Sequence, residues 1–145
     1  MRAHTSPVIV LRFSPSFRHF VTGAADSLVA VWDAAEVACL RTIDRADSQV
    51  RGASFSHTGE HLAIAAGDRD DSSKTLDIVR VADGSRVRSL PLREFQANFL
   101  AWAPHAPLLA YALEPAPAPP QPPGAPPSQQ LLEAGALRLL VVGGN

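Results

Sequence analysis

The chain has 145 residues, the length of one ordinary domain, and with 46% hydrophobic and 19% charged residues it has material for a core. Its 13 basic and 14 acidic side chains leave a formal charge of −1, which removes any electrostatic case for a nucleic-acid or membrane surface. A single cysteine excludes a disulfide framework, and no apolar run approaches the ~20 residues a membrane helix needs, so a soluble, intracellular protein is expected.

From the N-terminus, no apolar run follows a basic start, so no signal peptide is expected. The first patterned stretch, VIVLRFSPSFRHFVTGAADSLVAVWD, covers residues 8–33 and reads as three short strands joined by tight turns, closing on Trp32-Asp33. EVACLRTI, residues 36–43, supplies a fourth, outer strand. Cys39 falls in this apolar strand and is expected to pack there; a nucleophile built on it with a histidine is the weaker reading.

A second copy of the pattern runs VRGASFSHTGEHLAIAAG over residues 50–67, resumes at LDIVRV over 76–81, and is followed by an outer strand in SRVRSLPL, 85–92. Small Ala65 and Ala66 beside Leu62 and Ile64 suit a crowded inner strand. Nearby Arg80, Arg86, Arg88 and Arg93 are loosely grouped and read as a solvated edge of a sheet. The third copy is NFLAWAPHAPLLAYAL, 98–113, resuming at ALRLLVV, 136–142; LLEAGALRLL, interrupted by Gly135, is read as strand. The anchors Phe13-Ser14-Pro15, Phe55-Ser56-His57 and Trp102-Ala103-Pro104 are spaced 42 and 47 residues apart. A period near ~40–45 residues with about four strands in each is the period of a propeller blade.

In the first copy, Ala3-His4 precedes Trp32-Asp33 by the interval of the Gly-His to Trp-Asp signature, and the segment resembles a WD40 repeat. The resemblance implies a hydrogen-bonded structural tetrad of His4, Thr22, Asp26 and Trp32. The chemistry is sensible, because a buried indole N–H needs an acceptor and a carboxylate can fix an imidazole while accepting from turn amides. His4 and Asp26 resemble a catalytic pair, yet no matching nucleophile accompanies them. His19, His57, His61 and His105 lack metal-ligand pairing, and His57 is expected to be a plain turn residue. Val79 and Leu140 stand where Trp32 stands, and neither later copy has a histidine in the place of His4. Those blades are expected to be held by apolar packing and to be less rigid.

More closely, AHTSPVIVLRFSPSFRHFVTGAADSLVAVWD, VRGASFSHTGEHLAIAA, LAWAPHAPLLAYAL and EAGALRLL resemble the last part of the THO complex subunit 3 family of seven-bladed WD40 proteins, over about residues 3–141. The departures lie in loops. GDRDDSSK, 67–74, is long, and EPAPAPPQPPGAPPSQQ, 114–130, carries eight prolines and favours an extended polyproline conformation. A mobile surface loop is the plain reading of that segment; docking in an aromatic groove is the sharper one.

The expected fold is therefore all-β, a partial WD40 β-propeller of about three C-terminal blades of a seven-bladed ring. The blades fall at residues 3–44, 45–92 and 93–142, with the proline-rich loop 114–130 in the last. A truncated piece of a longer protein is the simplest account of so few blades, and pairing with a second chain is the runner-up. The family resemblance implies a non-enzymatic interaction scaffold in a nuclear complex that couples transcription to messenger-RNA processing and export. It implies other THO subunits as partners, RNA contacted only through the complex, no membrane, and no small-molecule substrate, cofactor or metal. A ubiquitin-ligase substrate receptor is the alternative adaptor class; Ala34-Ala35 after Trp32-Asp33 lacks the arginine many such receptors carry there.

Overall fold

The computed structural model describes residues 3–44, 48–68, 74–93, 95–115 and 137–142. Within them the chain forms antiparallel strands in three sheets. β1 (Val8–Phe13), β2 (His19–Ala24), β3 (Leu28–Asp33) and β4 (Ala38–Asp44) make the first sheet in simple meander order. β5 (Val50–Phe55), β6 (His61–Ala66), β7 (Thr75–Arg80) and β8 (Arg86–Pro91) make the second. β9 (Phe95–Trp102), β10 (Leu108–Pro115) and β11 (Leu137–Val141) make the third. This is an all-β partial propeller in which each repeat is one blade, innermost strand first.

The repeat extends to details of backbone geometry. The innermost strand of every described blade carries one extra residue: Ile9 in β1 and Arg51 in β5, each after the first pair, and Asn98 in β9, after the third. Such a bulge bends and twists the strand. At the far end of the same hairpin, the amides of Ser14, Ser56 and Ala103 donate to the carbonyls of His19, His61 and Leu108 at 2.8–2.9 Å. Ser14 and Ser56 also accept the amides of His19 and His61 on Oγ, at 3.2 and 3.1 Å. The Ser-Pro and Ser-His turn signals thus work through both main chain and side chain.

Each sheet buries one face against the next. Val10, Val21, Val29, Val31 and Ile43 of the first sheet pack with Val50, Phe55, Leu62, Ile64 and Val79 of the second. The opposite face of the second sheet, through Ala63, Ala65, Leu76 and Ile78, packs with Ala97, Trp102, Leu109 and Leu113 of the third. Strand alternation produces this two-sided sandwiching, since successive side chains leave opposite faces. Full burial of each Leu or Ile here contributes about 1.5–3 kcal/mol. Small residues let the inner strands approach: a Cβ on Gly23 would lie 2.6 Å from Val50 Cγ1.

Two sequence expectations need correction. Cys39 is exposed rather than packed, because β4 lies at the outer edge of its sheet and buries only Ile43. The proline-rich loop begins later than residue 114: Glu114 and Pro115 belong to β10, where Asn98 Nδ2 donates to Glu114 Oε2 at 2.6 Å. The rest of that loop, the stretch 131–136 and residues 69–73 of the other long loop lie outside the described residues.

Candidate functional site

Register brings the four polar residues of the first blade together. Thr22 lies mid-strand in β2, paired with Leu11 on one side and Ala30 on the other, so its side chain emerges on the same sheet face as Trp32. Trp32 stands opposite Phe20, and their rings stack 5.7 Å apart at 2°. Asp26 occupies the β2–β3 turn, and its Oδ1 accepts the Leu28 amide at 3.2 Å. His4, ahead of β1, reaches across this turn.

The Trp32 indole N–H donates to Thr22 Oγ1 at 2.9 Å. Thr22 Oγ1 lies 2.7 Å from His4 Nε2, and His4 Nδ1 lies 3.2 Å from Asp26 Oδ1. Because the threonine oxygen already receives the indole proton, its own hydrogen is free to be donated to His4 Nε2. His4 then carries its proton on Nδ1 and donates it to the carboxylate, an assignment drawn from the donor inventory. The second carboxylate oxygen accepts the Thr5 amide at 2.7 Å. Every donor in the chain Trp32–Thr22–His4–Asp26 is thereby used, and all four side chains are nearly enclosed.

Burial acts to raise the Asp26 carboxyl, but the amides of Thr5 and Leu28 and the hydrogen bond from His4 outweigh it and hold the group below the ordinary 3.8. The carboxylate is therefore fixed in its charged, accepting form. Asp33 of the Trp-Asp pair plays a separate part: its Oδ1 accepts the amides of Ala35 and Glu36 at 2.9 and 2.8 Å and closes the β3–β4 turn. In the second blade Asp83 caps the corresponding turn through Ser85, whose hydroxyl and amide, with Arg80, lower its carboxyl to about 2.

The later blades have different chemistry at the same positions. Val79 opposes Leu62 and Leu140 opposes Leu109, as Trp32 opposes Phe20, so both stand at the Trp32 position. Ile64 and Tyr111 occupy the Thr22 position. These blades are packed by carbon at the place where the first is hydrogen-bonded. His57 does lie in its turn, but its Nδ1 is enclosed without a hydrogen-bond partner, a feature of packing that the turn motif does not signal. The Trp102 indole N–H is likewise enclosed without an acceptor. A groove of about 320 Å³ is lined by Arg12 of the first sheet, Gly52 of the second, and Phe99 and Tyr111 of the third.

Residues 1–33 match the WD domain, G-beta repeat family. The chain is 38% identical over 112 residues to THO complex subunit 3 of Arabidopsis thaliana, which covers 77% of this chain and 34% of that protein. It is 28% identical over 114 residues to WD repeat-containing protein AAC3 of Dictyostelium discoideum, covering 77% of this chain and 22% of the relative. It is 31% identical over 68 residues to Protein TEX1 of Saccharomyces cerevisiae, covering 47% of this chain and 16% of the relative. Among solved structures, the Cps50 (Swd1) β-propeller domain of Myceliophteria thermophila superposes with a TM-score of 0.62 at 20% identity, over 76% of this chain and 33% of that one. The chain spans about a third of the length of the first of these relatives.

Proposed function

This is a WD40-repeat chain similar over most of its length to a THO complex subunit, and from that premise we propose that it is a non-enzymatic interaction scaffold of a THO-type nuclear complex acting in messenger-RNA processing and export. The observation that carries the proposal is the 38% identity to THO complex subunit 3 over 112 residues, 77% of this chain. The His4–Asp26 pair supports the scaffold reading in its own way. Its proton donors and acceptors are spent inside the blade, on Thr22 and on turn amides, so the pair serves as a clasp. In this reading the partners are the other THO subunits, and RNA is met through the assembly. The near-neutral charge agrees, since autonomous RNA binders carry a basic footprint.

Affinity capture from nuclear extract with the tagged chain tests the reading, with a Trp32→Ala variant as the control for folded structure. The expected result is recovery of the other THO subunits by the parent chain and their loss with the variant. Recovery of cullin-ligase adaptors in their place would assign the chain to the other adaptor class.

A further inference from the structure

Of the described blades, the second alone is flanked by a blade on each face, so its exposed outer strand does not depend on what lies beyond the other two. That strand, β8, is last in its sheet, and one long edge of it carries no paired strand among the described residues. Arg86, Val87, Arg88 and Ser89 are exposed in succession, and Leu90 is the first residue of the strand to turn inward. A strand packed on one face alternates between covered and open side chains. Four open residues in a row therefore leave both faces of this half of β8 accessible, together with its free edge.

A bulge sets the geometry of the stretch. Ile78 pairs with Arg88 and Val79 with Arg86, so Val87 is the extra residue, and Asp77 pairs with Ser89. Residues three apart in a regular strand leave opposite faces, and one extra residue between them cancels that difference. Arg86 and Ser89 thus share a face of the sheet. Neither Arg86 nor Arg88 makes an ion pair among the described residues, in contrast to Arg80, whose Nη1 lies 3.3 Å from Asp83 Oδ2. From Gly84 to Arg93 the chain carries three arginines and no acidic residue.

The serine hydroxyl in this setting is unspent. Three serines are exposed among the described residues: Ser16, Ser85 and Ser89. The Ser16 hydroxyl lies 3.2 Å from that of Ser14, and the Ser85 hydroxyl donates to Asp83 Oδ1 at 2.6 Å. The Ser89 hydroxyl has no hydrogen bond to a described residue.

We propose that Ser89 is a phosphoryl-acceptor site for a serine kinase with an acidic peptide groove, and that Arg86, three residues ahead, is the side chain this groove reads. Kinases select substrates by the charge pattern around the acceptor, and β8 offers such a pattern in extended backbone. In the transfer, Ser89 Oγ attacks the γ-phosphorus of ATP. The new O–P bond forms as the bond to the ADP oxygen breaks, and the hydroxyl proton passes to the catalytic aspartate of the kinase. The product puts a charge of about −1.5 to −2 on an edge whose unpaired charged side chains are basic. This inference is independent of the proposed place in a THO-type complex.

The test incubates the folded 145-residue chain with ATP and a calcium- and calmodulin-dependent protein kinase, which selects arginine three residues before serine. Tandem mass spectrometry locates the phosphate and follows its rate of appearance at Ser89. Casein kinase 2, which selects acidic surroundings, is the control, and far-ultraviolet circular dichroism checks that every species retains its sheets. Arg86 and Ser89 are exposed, so substitution there leaves the core intact. The parent is expected to gain phosphate on Ser89 with the first kinase and none there with the second. Arg86→Ala is expected to lower kcat/KM at Ser89 at least about tenfold, by loss of a charge-assisted contact, and Arg86→Lys to restore part of it. Ser89 left unmodified in the folded parent overturns the proposal. An unchanged rate in Arg86→Ala, or equal modification of Ser89 by casein kinase 2, overturns it as well.

Discussion

Replacing Thr22 by Val is the sharpest test of the polar clasp in the first blade. Valine keeps the shape and favours a strand, but it removes the oxygen that receives the Trp32 indole N–H at 2.9 Å and faces His4 Nε2 at 2.7 Å. The indole is enclosed against Phe20, so its proton has no alternative acceptor among the described contacts. An orphaned buried donor costs about 1–3 kcal/mol, and the unpaired imidazole nitrogen adds a further share, for a total of about 2–4 kcal/mol. Thr22→Ser keeps the oxygen and loses one methyl, worth about 1 kcal/mol. Urea unfolding followed by tryptophan fluorescence measures both variants; with an m value of about 2 kcal/mol/M, the Val variant lowers the midpoint by about 1–2 M. If Val and Ser variants unfold within about 0.5 kcal/mol of each other, the hydroxyl is not what holds the blade and the reasoning is refuted.

Three further outcomes are expected. The carboxyls of Asp26 and Asp83 lie below 3.8 in the folded chain, so their contribution is complete above about pH 4 and is lost as pH falls through the folded values, reaching about 2 for Asp83; urea midpoints from pH 7 downward should fall in that window, and Asp26→Asn should flatten the decline. Val37 and Phe17 hold left-handed backbone at φ 51° and 57°, where the second blade has Gly84 and Gly59 at 74° and 77°; Val37→Gly should raise the unfolding free energy by about 1 kcal/mol, as relief of roughly 1–3 kcal/mol of strain exceeds the entropic cost of glycine. Gly23→Ala should destabilise by about 1–3 kcal/mol in the same assay, because the new methyl would lie 2.6 Å from Val50 Cγ1 between the first two sheets.

The blade architecture was legible because its signals are local: alternation, turn residues and a recurring anchor. The placing of Val79 and Leu140 at the Trp32 position follows from counting along aligned strands, and the observed register has the same pairs. Exposure of Cys39 was not legible. The strand reads as an outer one, but its apolar composition argues for packing, and only the fold shows that it buries just Ile43. The left-handed turns at Phe17 and Val37 were hidden for a related reason, since neither residue type advertises positive φ and only the second blade, with Gly59 and Gly84, shows what those positions require. The bulges at Ile9, Arg51 and Asn98 were equally silent, because the extra residue flips the face of only the one to three residues before it, too few to show a break in alternation. The enclosed, unpartnered Nδ1 of His57 belongs to three-dimensional packing that no turn motif encodes.

The central claim is that the polar side chains of the first blade are internal bonds of the fold, and the two tryptophans provide a matched comparison. The Trp32 indole N–H is bonded to Thr22, and that of Trp102 is enclosed with no acceptor. Hydrogen exchange of the two indole protons, read by nitrogen-15 NMR on the intact chain, compares them directly. The account predicts that the Trp32 proton exchanges as slowly as the central amides of β2 and β3, and more slowly than that of Trp102. A Trp32 proton that exchanges as fast as or faster than its counterpart would contradict it.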